Sequence, residues 1–322
     1  MAASVATISP INVALPHNHQ EDVDTTTTTI LSPDLPIDFI QDPTVKAPFE
    51  AIQRLFDHLR SHPSDVDAIN SAYPKRGILK TAAVLNPKSD QKFTFDLSPH
   101  RVDCLPGEAQ QRLSEIITLF EAAASAYVED LLSACSNLAG PGVDMAKAHT
   151  NRNWNFRLCD YATENIANPE SDNGCGAHTD YGTFTIIFQD GTPGLEIEDP
   201  SAPTGWSLVP GDATIVLAGW CAAILSGGRI RAARHRVRRV PGVRRLSAVL
   251  FVAPDLDVKL TPLSGVKPVR PFTERIANGE EDVAWFKEVM GKRWRHREGN
   301  EDIPEGELTG SQDDDINKLV WA

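Results

Sequence analysis

Three stretches of the 322-residue chain hold side chains that could act together: Gly176-Ala177-His178-Thr179-Asp180, His235-Arg236-Val237 and Arg245-Leu246-Ser247. In an extended segment the side chains at i and i+2 share a face, so His178 and Asp180 can offer an imidazole and a carboxylate to one point. His235 lies on a different run of β-like sequence, and a sheet that curls back brings a second imidazole to that point. Two imidazoles and one carboxylate on one face of an ion form the open-sided triad associated with non-haem Fe(II) oxygenases. The His-x-acid triplet is weak by itself. His19-Gln20-Glu21 repeats it in an acidic N-terminal stretch, where His17, His19 and Glu21 read as solvated side chains.

The third stretch adds weight. Arg245, Ser247, Val249 and Phe251 alternate with Leu246, Ala248 and Leu250, so one face of this run carries a guanidinium and a hydroxyl. Directed into a dry core, these groups would be costly. An opposing carboxylate accounts for them, because Arg offers a two-pronged fork and Ser one further donor.

The elements that must position these residues change character along the chain. Residues 1–34, with a run of five threonines from Thr25 to Thr29 and the acidic Glu21-Asp22-Val23-Asp24, are expected to form a flexible tail. Residues 35–150 are expected to be helix-rich, with a helix near 49–59. A longer one lies between Pro106 and Gly140, where Leu113, Ile116, Ile117, Phe120, Ala124, Tyr127 and Leu131 fall on one stripe. From about residue 153, short β-like runs at 155–161, 183–188, 195–197, 213–217, 235–240 and 245–252 are separated by Gly, Pro and Asp. That texture predicts a sandwich or barrel in 151–256 rather than alternating βαβ units. Residues 257–322, with a helix over 280–290 and the basic cluster Lys292 to Arg297, are expected to form an extension that closes over the active site, a reading that rests only on their position after the β-rich region.

Composition narrows the function classes. Lys and Arg number 31 against 44 Asp and Glu, a net charge of −13 in a chain that is 41% hydrophobic, which is the balance of an acidic globular protein. No apolar run reaches the ~18 residues of a membrane span, and the first 45 residues hold no Lys or Arg, so neither a membrane partner nor a basic targeting segment is expected and the cytosol is the expected location. Five cysteines without a Cys-x-x-Cys pair indicate no disulfide framework and no structural zinc; Cys175, near His178, reads as a buried thiol. Eight arginines and no acidic residue between Arg229 and Arg245 invite a nucleic-acid reading. Overall acidity, the lack of interleaved aromatics and the separate use of Arg245 argue against it, leaving a solvated strand face or an anion-facing surface.

Taken together, the run Gly176 to Thr183, Pro193-Gly194-Leu195-Glu196-Ile197, Trp206 with Val209-Pro210-Gly211-Asp212, Leu225-Ser226-Gly227-Gly228-Arg229, His235-Arg236-Val237 and Arg245-Leu246-Ser247 resemble the Fe(II)- and 2-oxoglutarate-dependent dioxygenases of the isopenicillin N synthase-like, plant-type group. Upstream, Leu35-Pro36-Ile37-Asp38-Phe39 and Asp90-Gln91-Lys92-Phe93 are similar to parts of that group's N-terminal region. The resemblance implies a mainly β protein with flanking helices, a double-stranded β-helix (jelly-roll) core behind the helix-rich N-terminal region. It assigns His178, Asp180 and His235 to iron as the catalytic metal ligands, and Arg245 and Ser247 to the distal carboxylate of 2-oxoglutarate. Tyr161 matches a tyrosine that also contacts the co-substrate, although Cys159 and Ala162 stand where an Asn and a Pro are usual. The implied reaction couples oxidative decarboxylation of 2-oxoglutarate to O2-dependent hydroxylation, desaturation or ring formation on a small molecule, in natural-product biosynthesis by analogy. Two alternatives stay open: an Fe(II) oxidase of the isopenicillin N synthase or aminocyclopropane-carboxylate oxidase type that uses no 2-oxoglutarate, and a non-enzymatic jelly-roll binding protein.

Overall fold

The computed structural model describes residues 37–40, 43–71, 79–80, 90–105, 107–162, 171–297 and 312–322. The tail and its His17, His19 and Glu21 lie outside these residues. Eleven strands are described: β1 (Ile37–Ile40), β2 (Leu79–Lys80), β3 (Phe93–Leu97), β4 (Trp154–Tyr161), β5 (Asn173–Thr179), β6 (Phe184–Gln189), β7 (Leu195–Glu198), β8 (Trp206–Leu208), β9 (Thr214–Ala218), β10 (Arg234–Arg238) and β11 (Arg245–Val252). They form a seven-stranded sheet in the order β1-β9-β6-β11-β4-β3-β2 and a four-stranded sheet in the order β5-β10-β7-β8. Every pairing is antiparallel.

The period of two in β11 explains how the sheets stack. Leu246, Ala248 and Leu250 join Phe156, Leu158, Ile186 and Phe188 in the core under the helices. The opposite face sends Val249, with Ile187 and Ile215, against Leu195, Ile197 and Val237 of the smaller sheet. Two sheets closed on a shared inner face make the double-stranded β-helix, with helices over the outside of the large sheet.

The helix Ser114–Ala139 covers that outer face. Phe120 stacks on Phe156 at 5.4 Å between ring centroids and meets the edge of Trp154 at 6.5 Å. The helix ends at Gly140, whose φ of 131° is a region where L side chains are strained. Its buried stripe includes Ile116, Phe120, Ala124, Tyr127 and Leu131 as the spacing predicts; Leu119, Ala123 and Val128 widen it, and Ile117 is only half-buried. The expected helix at 49–59 is observed as Phe49–Ser61.

Elsewhere the structure departs from the sequence pattern. β5 was not among the expected strands, because Asn173-Gly174-Cys175-Gly176 lacks alternating apolar residues; pairing with β10 makes it a strand. The helix expected over 280–290 is Val283–Arg297 and runs through the basic cluster. Its Phe286 and Met290 pack with Trp220, Ile224 and Ile316 in a third core. Among the described residues no helix is long and apolar enough to cross a membrane.

Candidate active site

The smaller sheet sets up the two imidazoles. β5 and β10 run antiparallel with His178 directly opposite His235, and the rings lie 4.3 Å apart. Each His donates Nδ1–H to the carbonyl two residues earlier: His178 to Gly176 O at 2.8 Å and His235 to Ala233 O at 3.1 Å. These bonds fix both rings with Nε2 turned toward one point. Asp180, just past the end of β5, reaches the same point. Its Oδ1 is 3.6 Å from His178 Nε2 and its Oδ2 is 4.0 Å from His235 Nε2. The three ligand atoms lie within 4.8 Å of one another.

Thr185 Oγ1 donates to Asp180 Oδ2 at 2.6 Å and fixes the carboxylate plane. Burial works to raise the Asp180 carboxyl, but its contacts with the His178 and His235 rings and the Thr185 hydrogen bond outweigh it and hold the group well below the usual carboxylate range. A buried carboxylate beside two inward imidazoles is a donor set suited to a divalent transition metal with open coordination positions. The chemistry of these donors fits iron.

The larger sheet supplies the facing wall. β4 pairs with β11 so that Tyr161 lies opposite Arg245, Cys159 opposite Ser247 and Arg157 opposite Val249. Arg245 is 3% exposed. Its Nη2 donates to Gln189 Oε1 at 2.9 Å and its Nε to Thr192 O at 3.3 Å. Gln189 is held in turn by donating to Pro210 O and Ala213 O. Arg245 Nη1 is buried and has no hydrogen-bond partner. The fork expected for a two-pronged grip is therefore half used by Gln189, and one charged donor remains for an anion. Leaving such a donor unmet is costly, so the geometry fits a ligand carboxylate. The Tyr161 ring lies 5.2 Å from the guanidinium, and burial pushes its phenol far up, keeping it protonated. Gly174 permits this approach: a Cβ there would sit 2.9 Å from Tyr161 Cδ1.

These residues line one cavity, which takes in His178, Asp180, His235, Arg245, Ser247 and Tyr161. Sequence reasoning missed others on its wall: Lys92, Arg157, Thr185 and Trp294. Trp294, from the helix Val283–Arg297, sets its ring edge against His178 at 4.8 Å. Lys92 is 4% exposed and donates to Asp90 Oδ2 at 3.2 Å and Cys175 Sγ at 3.0 Å. Burial opposes its charge, but Cys175 and Asp90 carry its proton affinity well above the ordinary value. The motif around Asp90 and Lys92 was visible in the sequence; its place in this cavity was not. Trp206, Trp220, Trp285 and Phe286 do not line it. Arg234, Arg236, Arg238 and Arg244 of the basic stretch are ion-paired with Glu198, Glu196, Asp172 and Asp160.

Fold and site together define a jelly-roll protein with an open-sided His-Asp-His ligand set. Residues 154–254 match the model of the 2OG-Fe(II) oxygenase superfamily. A UPF0676 protein of Schizosaccharomyces pombe is 33% identical over 177 residues, covering 53% of this chain and 52% of that protein. The 2-oxoglutarate-dependent dioxygenase tropC of Talaromyces stipitatus is 35% identical over 152 residues, covering 44% and 46%. The chain thus spans about half the length of these curated relatives. The crystal structure of JOX2 in complex with 2OG, Fe and JA superposes with a TM-score of 0.58 at 20% identity, covering 73% of this chain and 72% of that one. That likeness supports the fold.

Proposed function

We propose that the protein is an Fe(II)- and 2-oxoglutarate-dependent dioxygenase that oxidises a small organic molecule in natural-product biosynthesis. The observation that carries this reading is the buried, unpartnered Nη1 of Arg245 on the same cavity wall as Ser247, facing the His178, Asp180 and His235 ligand set. His178 Nε2, Asp180 and His235 Nε2 would hold the iron. Arg245 Nη1 and Ser247 Oγ would hold the far carboxylate of 2-oxoglutarate, with Tyr161 bracing the guanidinium. When bound, iron supplies the activation of O2 that couples decarboxylation of 2-oxoglutarate, to succinate and CO2, with oxidation of the substrate.

The protein's own part is positioning and exclusion of water. Ile187, Leu195, Val237 and Val249 give the cavity apolar walls, and Trp294 shields His178 from solvent. The pairing of the surface arginines with carboxylates supports a small molecule, rather than a nucleic acid, as the substrate.

The test is to add 2-oxoglutarate anaerobically to the Fe(II)-loaded protein and follow the visible metal-to-ligand charge-transfer band. A band in the wild type that is lost at the same co-substrate concentration in Arg245→Ala supports the reading. Bound Fe(II) without a band would favour an oxidase that draws all its electrons from substrate. No Fe(II) binding would favour a binding protein.

A further inference from the structure

Of the described residues that line the cavity, Trp294 alone comes from outside the β framework. The others lie on β4, β5, β6, β7, β10 and β11, except that Lys92 immediately precedes β3 and Asp180 immediately follows β5. Displacing any of these means breaking strand pairings, which are among the last parts of a fold to open. Trp294 can leave the wall without disturbing a ladder. Its ring stands 4.8 Å from that of His178, so its departure would open the cavity directly beside the metal ligand set.

The helix Val283–Arg297 packs on two cores, and Gly291 lies between them. Before Gly291, Val283, Phe286 and Met290 are buried in the third core with Trp220, Ile224 and Ile316. This part is also tied down by hydrogen bonds: Val283 N donates to Val258 O at 3.0 Å, Ala284 N to Leu256 O at 2.9 Å and Lys287 Nζ to Asn153 Oδ1 at 3.1 Å. Beyond Gly291 the helix leaves that core. Trp294, half-buried, packs instead against the core between the two sheets, and Arg293 pairs with Asp315 at 3.6 Å. A glycine inside a helix weakens it, because its backbone regains the most freedom on unwinding. The weak point thus falls between the anchored part and the part that carries Trp294.

We infer that Trp294 is the gate of the cavity: the turns from Gly291 onward open as a unit, with the helix before Gly291 and both sheets in place, and ligands reach the His178, Asp180 and His235 set through the gap. The gate follows from the packing of this helix. That the organic substrate passes through it to lie beside iron rests on the dioxygenase reading.

The cysteines provide the test. Cys159 and Cys175 line the cavity and are each 4% exposed, so their labelling reports opening without metal or co-substrate. Cys135 and Cys221, buried elsewhere, report global unfolding, and the exposed Cys104 reports the reagent. The full chain is treated with N-ethylmaleimide under native conditions, and each cysteine is followed by peptide mass spectrometry. Trp294→Ala should speed labelling of Cys159 and Cys175 by at least about ten-fold while Cys135 and Cys221 stay within about two-fold of wild type. Gly291→Ala leaves the cavity wall intact and should slow the same two thiols about five-fold, the factor that corresponds to the helix preference of alanine over glycine. Hydrogen exchange of the wild-type chain reads the hinge whatever a Cβ at residue 291 meets: amides of 292–297 should exchange at least about ten-fold faster than those of 286–290, with a step at Gly291. The proposal is overturned if Trp294→Ala leaves the cavity thiols unchanged, if Cys135 and Cys221 follow them, or if exchange shows no step at Gly291. A Gly291→Ala chain that melts at or above the wild-type temperature without slowing Cys175 overturns it too. Failure of the dioxygenase reading is separate: it is the absence of the charge-transfer band in the wild type, whereas labelling and exchange are read on the chain alone.

Discussion

Replacing Arg245 with Met removes the charged donor that faces the cavity while keeping most of the side chain's length. In the folded protein Arg245 is 3% exposed, so a bound carboxylate would meet Nη1 with little competing water. Truncating one partner of a buried, hydrogen-bonded charge pair costs about 2–5 kcal/mol, which is roughly thirty-fold or more in affinity. Two features keep the change local. Gln189 retains its bonds to Pro210 and Ala213, and Arg245 belongs to the sheet that does not carry the histidines. Fe(II) affinity should therefore stay within about three-fold while the dissociation constant for 2-oxoglutarate rises about thirty-fold or more, read by anaerobic titration of the charge-transfer band. Arg245→Lys should fall between, because it restores charge without the fork that also bonds Gln189. Ser247→Ala, losing a single neutral donor, should cost about 1 kcal/mol, or roughly five-fold. A co-substrate affinity unchanged within three-fold in Arg245→Met would refute the reasoning.

Three further outcomes follow from other parts of the molecule. His178→Ala, Asp180→Ala and His235→Ala should each lower Fe(II) affinity by at least about ten-fold by calorimetry, the low end of what losing even an outer-shell partner costs a metal site; a variant that keeps wild-type affinity would remove that residue from the ligand set. Phe120→Ala should destabilise the fold by about 3–5 kcal/mol, because it empties the contact with Phe156 and Trp154; a melting temperature within two degrees of wild type would count against that packing. His149, buried between Met145 O and Thr183 Oγ1, has its proton affinity lowered from the ordinary 6.5, chiefly by burial. The unfolded chain then binds this proton more readily than the fold, so the stabilisation is complete above about pH 6.5 and is lost as pH falls toward the lowered folded value. Denaturant melts from about pH 7 to about pH 5 should show a shallower loss for His149→Gln than for wild type; equal slopes would exclude this histidine as the source.

The register of β11 was legible because its residues alternate. Arg245, Ser247, Val249 and Phe251 do share the cavity face, and Leu246, Ala248 and Leu250 do pack under the helices. A period of two acts within one strand, and the neighbouring sequence carries all of it. The same locality let His178 and Asp180 be paired at i and i+2, and the quoted motifs, read as a set, pointed to the jelly roll. Strand β5 was harder to see, since its glycines carry no hydrophobic signal and only β10 makes it a strand.

What needed the folded chain was everything joined across distance. His178 meets His235 because β5 and β10 pair in one register, 57 residues apart in sequence. Gln189 occupies half of the Arg245 fork from 56 residues away, so the number of donors left for a ligand could not be read from Arg245 and Ser247 alone. Lys92, just before β3, meets the ring of Trp294, which comes from the last part of the helix Val283–Arg297 and touches His178, although the two lie far apart in sequence. Side-chain type and local period specify which groups face inward. Which of them share a cavity depends on strand pairing and helix packing, and those are decided by burial of the whole apolar surface at once.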